Sequence, residues 1–361
     1  MTSESMLIVT AHAEFIDAAL QELKRLDKRL TQVAMLAPGI ALCATPQVDI
    51  LMRLAAEQLP IFVRHLAPVQ AIVPLQNTEQ DISDIAIALA TLPAFTLLER
   101  GQRFAVQSRF VQPEGHAAQR PYSSGHLNQQ LAEAFAEETG AIESIKKPQI
   151  VISILCTPEK GYLGISLVQE NLSSWPGGAR HFAQSSEQIS RAEFKLLEAL
   201  EIFGVTLPTS GRALDLGAAP GGWTRLLLEA GLDVVAVDPA NLDPRLADRR
   251  HLEHYRGYAE TYLENAVKTH KRFEVIVNDM RMDAREAARL LSQAARCLRA
   301  DGFVLSTLKL PHATHEIKPL STLRQALSVL NRHYGIVQAH QLFHNRQEVT
   351  VIAAKPLPTP M

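Results

Sequence analysis

RALDLGAAPGGWT, residues 212–224, is the stretch on which the fold turns. A short apolar strand, 213–216, carries Asp215 near its end. Gly217 follows, then Gly221 and Gly222, and the next residues, 223–230, read as a helix. Glycines let a backbone pass close to a ligand, and the N-terminus of the following helix favours negative charge. Asp238 ends the next strand, 21 residues beyond Gly217. An acid at that distance can accept hydrogen bonds from both ribose hydroxyls of a nucleoside. Glycines serving only the turn are the bland alternative. A nicotinamide-binding loop requires G-x-G-x-x-G, and Gly217-Ala218-Ala219-Pro220-Gly221-Gly222 does not match it.

Outward from this loop, residues 186–361 alternate strand and helix. After 233–237 and 273–278, both strand-like, an amphipathic helix covers 284–299. A strand at 303–308 and a helix at 320–333 come next. Two strands, 336–343 and 348–354, joined by 344–347, end the chain as a hairpin. The alternation predicts an α/β, doubly wound parallel sheet, and the hairpin makes one terminal strand antiparallel.

Before it, 6–95 mixes apolar runs at 6–10 and 39–44 with helix-like stretches at 14–26, 48–58 and 82–90, an α+β pattern. Residues 96–170 hold a strand at 103–111 and a polar loop with Pro113, Gly115 and Pro121. A helix with a serine start and a glycine stop follows at 123–140. A strand pair at 147–156 and 161–167 completes the region. The Ser, Pro and Gly of 171–185 read as a linker, so the expected domains are 1–95, 96–170 and 186–361.

With 361 residues, 47% apolar and 20% charged, the chain has the composition of an ordinary globular protein of two or three domains. Its net charge of −2 does not announce a nucleic-acid binder. Residues 180–361 hold 23 Lys and Arg against 20 Asp and Glu, and the remainder 13 against 18, so any basic surface is local. Cys43, Cys156 and Cys297 stand far apart in apolar segments, as buried hydrophobes of a reducing compartment do. No apolar run is long enough for a transmembrane helix, and residues 1–5 lack secretory-signal features. A cytoplasmic location without membrane contact is expected.

DLGAAPGGW resembles the nucleoside-binding loop of the FtsJ-like RNA ribose methyltransferases. With its length and front domains, the chain most resembles the bacterial large-subunit rRNA methyltransferase M (RlmM) family. The resemblance implies a Rossmann-like methyltransferase sheet, a ferredoxin-like domain at 1–95 and a THUMP-like RNA-binding domain at 96–170. It also implies S-adenosyl-L-methionine as cofactor, which has no phosphates to cradle. Residues carried over to its site are Ser190, Gly217, Ala219, Pro220, Gly221, Gly222, Trp223, Asp238 and Asp279. The family tends to place an acid after its third strand against adenine. Here Tyr258 stands in that stretch, with Glu260 as the alternative. Trp223 also suits helix–sheet packing.

The family's Lys–Asp–Lys–Glu tetrad maps by context onto Lys195 in SRAEFKLL, Asp279 in VNDM, Lys309 in TLKLP and Glu348 in NRQEV. A ribose 2′-hydroxyl is a poor nucleophile until deprotonated, and Lys309 is the candidate base. Neutralising an ordinary lysine at pH 7 costs about 4–5 kcal/mol. A second cation, Lys195, partial burial and the sulfonium all disfavour the charged form. The carboxylates oppose that shift, so their role is orientation: Asp279 aims Lys309, and Glu348 holds Lys195. Singly, each residue has a plainer use, as a surface ion pair, a helix cap or a snorkelling lysine. Four matches beside one loop argue against coincidence.

Arg103, Arg109, Arg120, Lys146 and Lys147 are candidate phosphate contacts, as are Arg191 and Arg346 beside the tetrad; solvated charge is the plainer account of each. His312, His315 and His344 read as surface loop histidines, and no metal is expected. The predicted activity is 2′-O-methylation of RNA, and the resemblance makes the target a cytidine of 23S rRNA, naked or in an assembly intermediate. The alternatives are methylation of another RNA such as tRNA, and a noncatalytic RNA-binding assembly factor.

Overall fold

The computed structural model describes residues 5–112, 119–183, 185–312 and 319–358; Pro113, Gly115, His315 and residues 1–4 fall outside them. The chain divides into two compact units, Met1–Arg180 and His181–Met361.

The first unit holds two sheets. β1 (Ser5–Thr10), α1 (Ile16–Leu26), β2 (Thr31–Ala37), β3 (Ile40–Thr45), α2 (Val48–Glu57) and β4 (His65–Val69) form an antiparallel sheet of order β2-β3-β1-β4. The second comprises β5 (Ala71–Pro74), α3 (Gln80–Ala90), β6 (Arg103–Phe110), α4 (Ser124–Thr139), β7 (Ile142–Glu143), β8 (Ile150–Cys156) and β9 (Lys160–Leu167). Its strand order is β5-β9-β8-β6-β7. Ser123 Oγ caps α4 by accepting from His126 N at 3.1 Å, and Gly140 ends it at φ 74°. These are the serine start and glycine stop read from sequence.

Two boundaries differ from expectation. β5 pairs with β9, and Leu75, Ile85 and Leu89 pack into the core of the second sheet, so residues 71–95 belong with it and not with the first. Residues 171–180 are no free linker. Asn171 is fully buried and donates to Leu66 O at 2.7 Å, while Gln107 donates to Ser174 O at 2.6 Å. The segment straps the first unit because its polar groups bond both sheets.

The sheets meet where Ile8, Leu42 and Ala67 pack on Val111, Leu155 and Tyr162. Gly164 makes the approach possible, since a Cβ there would lie 1.9 Å from Pro68 O.

The second unit comprises α5 (Glu193–Ile202), β10 (Arg212–Leu216), α6 (Gly222–Glu229), β11 (Asp233–Val237), β12 (Leu252–Tyr255), α7 (Ala259–Lys268), β13 (Phe273–Asn278), α8 (Ala284–Ala294), β14 (Leu298–Lys309), α9 (Pro319–Leu330), β15 (Tyr334–His340) and β16 (Glu348–Pro356). The sheet order is β12-β11-β10-β13-β14-β16-β15. The β12–β14 side is parallel, and β16 runs antiparallel to both its neighbours, as the terminal hairpin implies. The chain leaves β10 for β11 and β12, then returns to β13 on the other side. This reversal opens a crevice at the carboxyl ends of the strands. α5 and α6 bury Leu196, Ala199, Trp223 and Leu227 on one sheet face, against Val234, Val277, Leu305 and Ile352. The helix expected over 284–299 stops earlier, because Leu298 already pairs with Phe273 in the sheet.

No described helix is long and apolar enough to cross a membrane. All three cysteines are buried, and burial pushes the Cys43 and Cys156 thiols up to about 12.

Gly164→Ala tests the junction of the first unit. Overpacking against a backbone carbonyl costs about 1–3 kcal/mol. Denaturant unfolding should show that loss; unchanged stability would mean the sheets are not in this contact.

Candidate functional site

The crevice collects the loop and the four charged residues. Gly217 has φ +72° and Gly221 φ +109°, conformations that glycine adopts without strain. A Cβ would meet Met280 Cγ at 2.1 Å in the first case and Leu246 Cδ1 at 2.3 Å in the second. The Ala219–Pro220 bond is cis. Asp238 follows β11 and is held by two backbone donors, Ala219 N to Oδ2 at 3.0 Å and Ala240 N to Oδ1 at 2.8 Å. A carboxylate has about four lone-pair sites, so each oxygen keeps one for a hydroxyl. Gly222 starts α6 so close to Ser190 that a Cβ would lie 2.3 Å from its Oγ. That Oγ is buried and has no partner.

Trp223 takes the packing role that its sequence context also suits. It is 4% exposed, packs in the core and donates Nε1–H to Ala192 O at 2.6 Å. Helix–sheet packing holds its ring. Tyr258 is 68% exposed at the start of α7. Among the described residues, no side-chain hydrogen bond ties Tyr258 or Glu260 to the loop. His344, expected as a surface loop residue, is half-buried and its Nδ1 lies 2.6 Å from Glu198 Oε2.

The four charged residues converge. Asp279 directly follows β13, and Lys309 ends β14. Register pairs Lys309 with Glu348 across β14 and β16, so their side chains meet. Lys195 comes from α5. Its Nζ lies 3.2 Å from both Asp279 oxygens and 2.7 Å from Glu348 Oε1. Lys309 Nζ lies 2.6 Å from Asp279 Oδ1 and 2.8 Å from Thr307 Oγ1, and also bonds Glu348 Oε2. Each lysine therefore touches both carboxylates. The expected division, with Asp279 on Lys309 and Glu348 on Lys195, is replaced by a closed ring of formal charge zero.

Electrostatics follow from that ring. Burial pulls the Lys195 pKa down, but Asp279 and Glu348 outweigh it, and the net shift is upward. Lys195 is thus held as a cation. Burial pushes Asp279 up, yet Lys309 and Lys195 prevail and bring it below the ordinary carboxyl value.

Residues not singled out by sequence hold the ring in place. Thr307 lies two residues before Lys309, on the same strand face, and donates to Asp279 Oδ1 at 2.6 Å. Asn345 donates to Glu348 Oε1 at 3.3 Å and accepts from Leu342 N and Thr350 Oγ1. Glu198, one turn beyond Lys195, accepts from Phe343 N at 2.7 Å and His344 N at 3.1 Å. Glu193 accepts from Ile189 N and Ser190 N and pairs with Arg225 of α6. An acid in the buried stripe of α5 is the signal that marks Glu193 and Glu198. Among the described residues, no cluster of three or more metal-type ligands occurs.

The profile of the FtsJ-like methyltransferase family matches residues 188–333. The matched residues take in the glycine loop, Lys195, Asp279 and Lys309. The chain is 38% identical over 189 residues to a ribosomal RNA large subunit methyltransferase M of Halorhodospira halophila, covering 50% of this chain and 51% of that protein. Its namesake in Thauera aminoaromatica is 26% identical over 305 residues, covering 81% and 78%. Against the first relative the chain spans about half of that protein's length. TrmN from Thermus thermophilus aligns over 97% of this chain and 99% of its own at 17% identity, with a TM-score of 0.39.

The buried strand acid Asp215 supplies a pH test. Burial pushes its pKa from 3.8 to about 7, against a hydrogen bond from Thr224. Between those values the folded state keeps a proton that the unfolded state has released. Stability therefore falls as pH rises from about 4 to about 7, by on the order of a few kcal/mol. Asp215→Asn removes this term, so Tm against pH should decline less steeply than in the wild type. Parallel curves would deny the buried acid.

Proposed function

We propose that the chain is an S-adenosylmethionine-dependent 2′-O-ribose methyltransferase acting on a cytidine of 23S rRNA in the cytoplasm. The observation that carries this reading is the ring of Lys195, Asp279, Lys309 and Glu348 in the crevice that also holds the Gly217–Gly222 loop. The names of the relatives support ribosomal RNA as substrate. The βαββαβ order of 5–69 supports a ferredoxin-like domain, and the sheet of 71–167 a THUMP-like one.

The residues present fit the cofactor. Asp238 keeps lone pairs for a ribose diol, the first turn of α6 favours a carboxylate, and the orphaned Ser190 Oγ lies against that turn. When bound, S-adenosylmethionine supplies an electrophilic methyl group on a sulfonium.

The remaining work falls to this chain. Lys195 keeps its proton and holds Asp279 and Glu348 in place. Lys309 is the base that takes the 2′-hydroxyl proton. Its three contacts, to Asp279, Thr307 and Glu348, fix its nitrogen without rotamer freedom. Positive charge added to a ring of formal charge zero favours loss of one ammonium proton. Positioning then supplies much of the rate.

Lys309→Met should lower kcat by about 10²–10⁴-fold while S-adenosylmethionine affinity is kept. The assay uses labelled cofactor, RNA from cells lacking the protein, and nuclease digestion to nucleosides. Label on ribose 2′-oxygens supports the proposal; label on bases defeats it.

A further inference from the structure

Ser190 and Glu193 stand in the order S-x-x-E at the start of α5, the pattern of a capping box. In a full box the serine hydroxyl accepts from the amide three residues on, and the glutamate reaches back to the serine amide. Only the second half is made here. Glu193 Oε1 accepts from Ile189 N at 2.7 Å and from Ser190 N at 3.3 Å. Glu193 N donates to Ser190 O at 3.3 Å, in a tight first turn that Phe194 N to Arg191 O and Lys195 N to Ala192 O continue. The serine hydroxyl is thereby released from the cap, and its buried Oγ has no partner.

The other carboxylate oxygen crosses to the next helix. Glu193 Oε2 pairs with Arg225 Nη2, and Arg225 Nη1 pairs with Glu229. Glu193 is 1% exposed and Arg225 8%, so the pair is withdrawn from water. A buried ion pair adds little net stability over apolar residues of the same size, and its best-attested use is to fix one arrangement. This one ties the start of α6 to the segment that carries Ser190. Gly222 completes the contact, since a Cβ there would lie 2.3 Å from Ser190 Oγ and 3.1 Å from Glu193 Cγ.

Both Glu193 oxygens are engaged within the chain, so the residue orients other groups. What it orients is a hydroxyl set against the first turn of a helix. A hydroxyl donor beside helix-start amides suits a carboxylate, and a bond from it to an anion is charge-assisted. S-adenosylmethionine carries one carboxylate, at its amino-acid end, while Asp238 suits the ribose. We infer that Glu193, locked by Arg225, is a positioning residue that holds the Ser190 hydroxyl on the carboxylate of the cofactor's amino-acid end. The inference rests on the cofactor reading given above.

The test measures binding to the full chain by calorimetry, with two ligands. S-adenosylhomocysteine keeps the amino-acid end, and methylthioadenosine lacks it. Glu193→Gln should weaken S-adenosylhomocysteine about tenfold and leave methylthioadenosine within about twofold of the wild type. Ser190→Ala should show the same split. Because Glu193 acts through Ser190, combining the two substitutions should cost no more than about twofold beyond the weaker-binding single variant. Glu193→Gln leaves Arg225 buried without its partner. Should that variant fail to fold, the double variant Glu193→Gln, Arg225→Gln removes both charges and should give the same split. Equal losses on both ligands, additive losses on combination with Ser190→Ala, or unchanged S-adenosylhomocysteine affinity would each overturn the inference and spare the cofactor site. A wild type that does not bind S-adenosylhomocysteine would overturn the cofactor reading as well.

Discussion

The second unit depends on a constraint of charge: two ammonium groups and two carboxylates are withdrawn from water together. Burying one charge alone is expensive, and removing one partner from a buried pair typically costs about 3–5 kcal/mol. Lys195, Asp279, Lys309 and Glu348 satisfy the constraint only as a set, because every cation contacts both anions. The set draws on one helix and three strands, so it exists only when α5, β13, β14 and β16 are in register. The antiparallel insertion of β16 is what brings Glu348 to the same sheet edge as the ends of the parallel strands.

The same ring also determines what chemistry is available. Carboxylates that orient a lysine stabilise its proton as well, and Lys195 shows the effect in its raised pKa. A symmetric pair of lysines would be a poor base on that account. The two differ in their third neighbour. Lys309 has Thr307, whose hydroxyl donates to Asp279 while accepting from Lys309, and thereby takes up one lone pair of the carboxylate. Lys195 meets carboxylate oxygens only. The hydroxyl contact is what distinguishes Lys309, the proposed base, from Lys195.

Much of this was legible in the sequence, for identifiable reasons. The Gly217–Gly222 loop reads clearly because positive φ and close packing exclude side chains at Gly217 and Gly221. The charged residues at strand ends stand out against apolar neighbours, as Lys309 does between Leu308 and Leu310. What stayed hidden was set by tertiary contact. β2 is an edge strand with mostly exposed side chains and no apolar alternation to detect. Glu193 and Glu198 stand in the buried stripe of α5, but Arg225 and the loop amides of 343 and 344 that satisfy them there come from distant sequence. Trp223 neighbours the glycine loop in sequence but turns into the core. The boundary near 95 failed because β5 changes sheets within one residue of the end of β4, at Gln70, whose side chain bonds Ile165 through both ends.

The buried polar groups of the charge ring are already satisfied within the chain. Around the lysine–carboxylate ring nearly every donor has an acceptor within the chain, so the geometry is set before any substrate arrives; such preorganisation is what electrostatic catalysis requires.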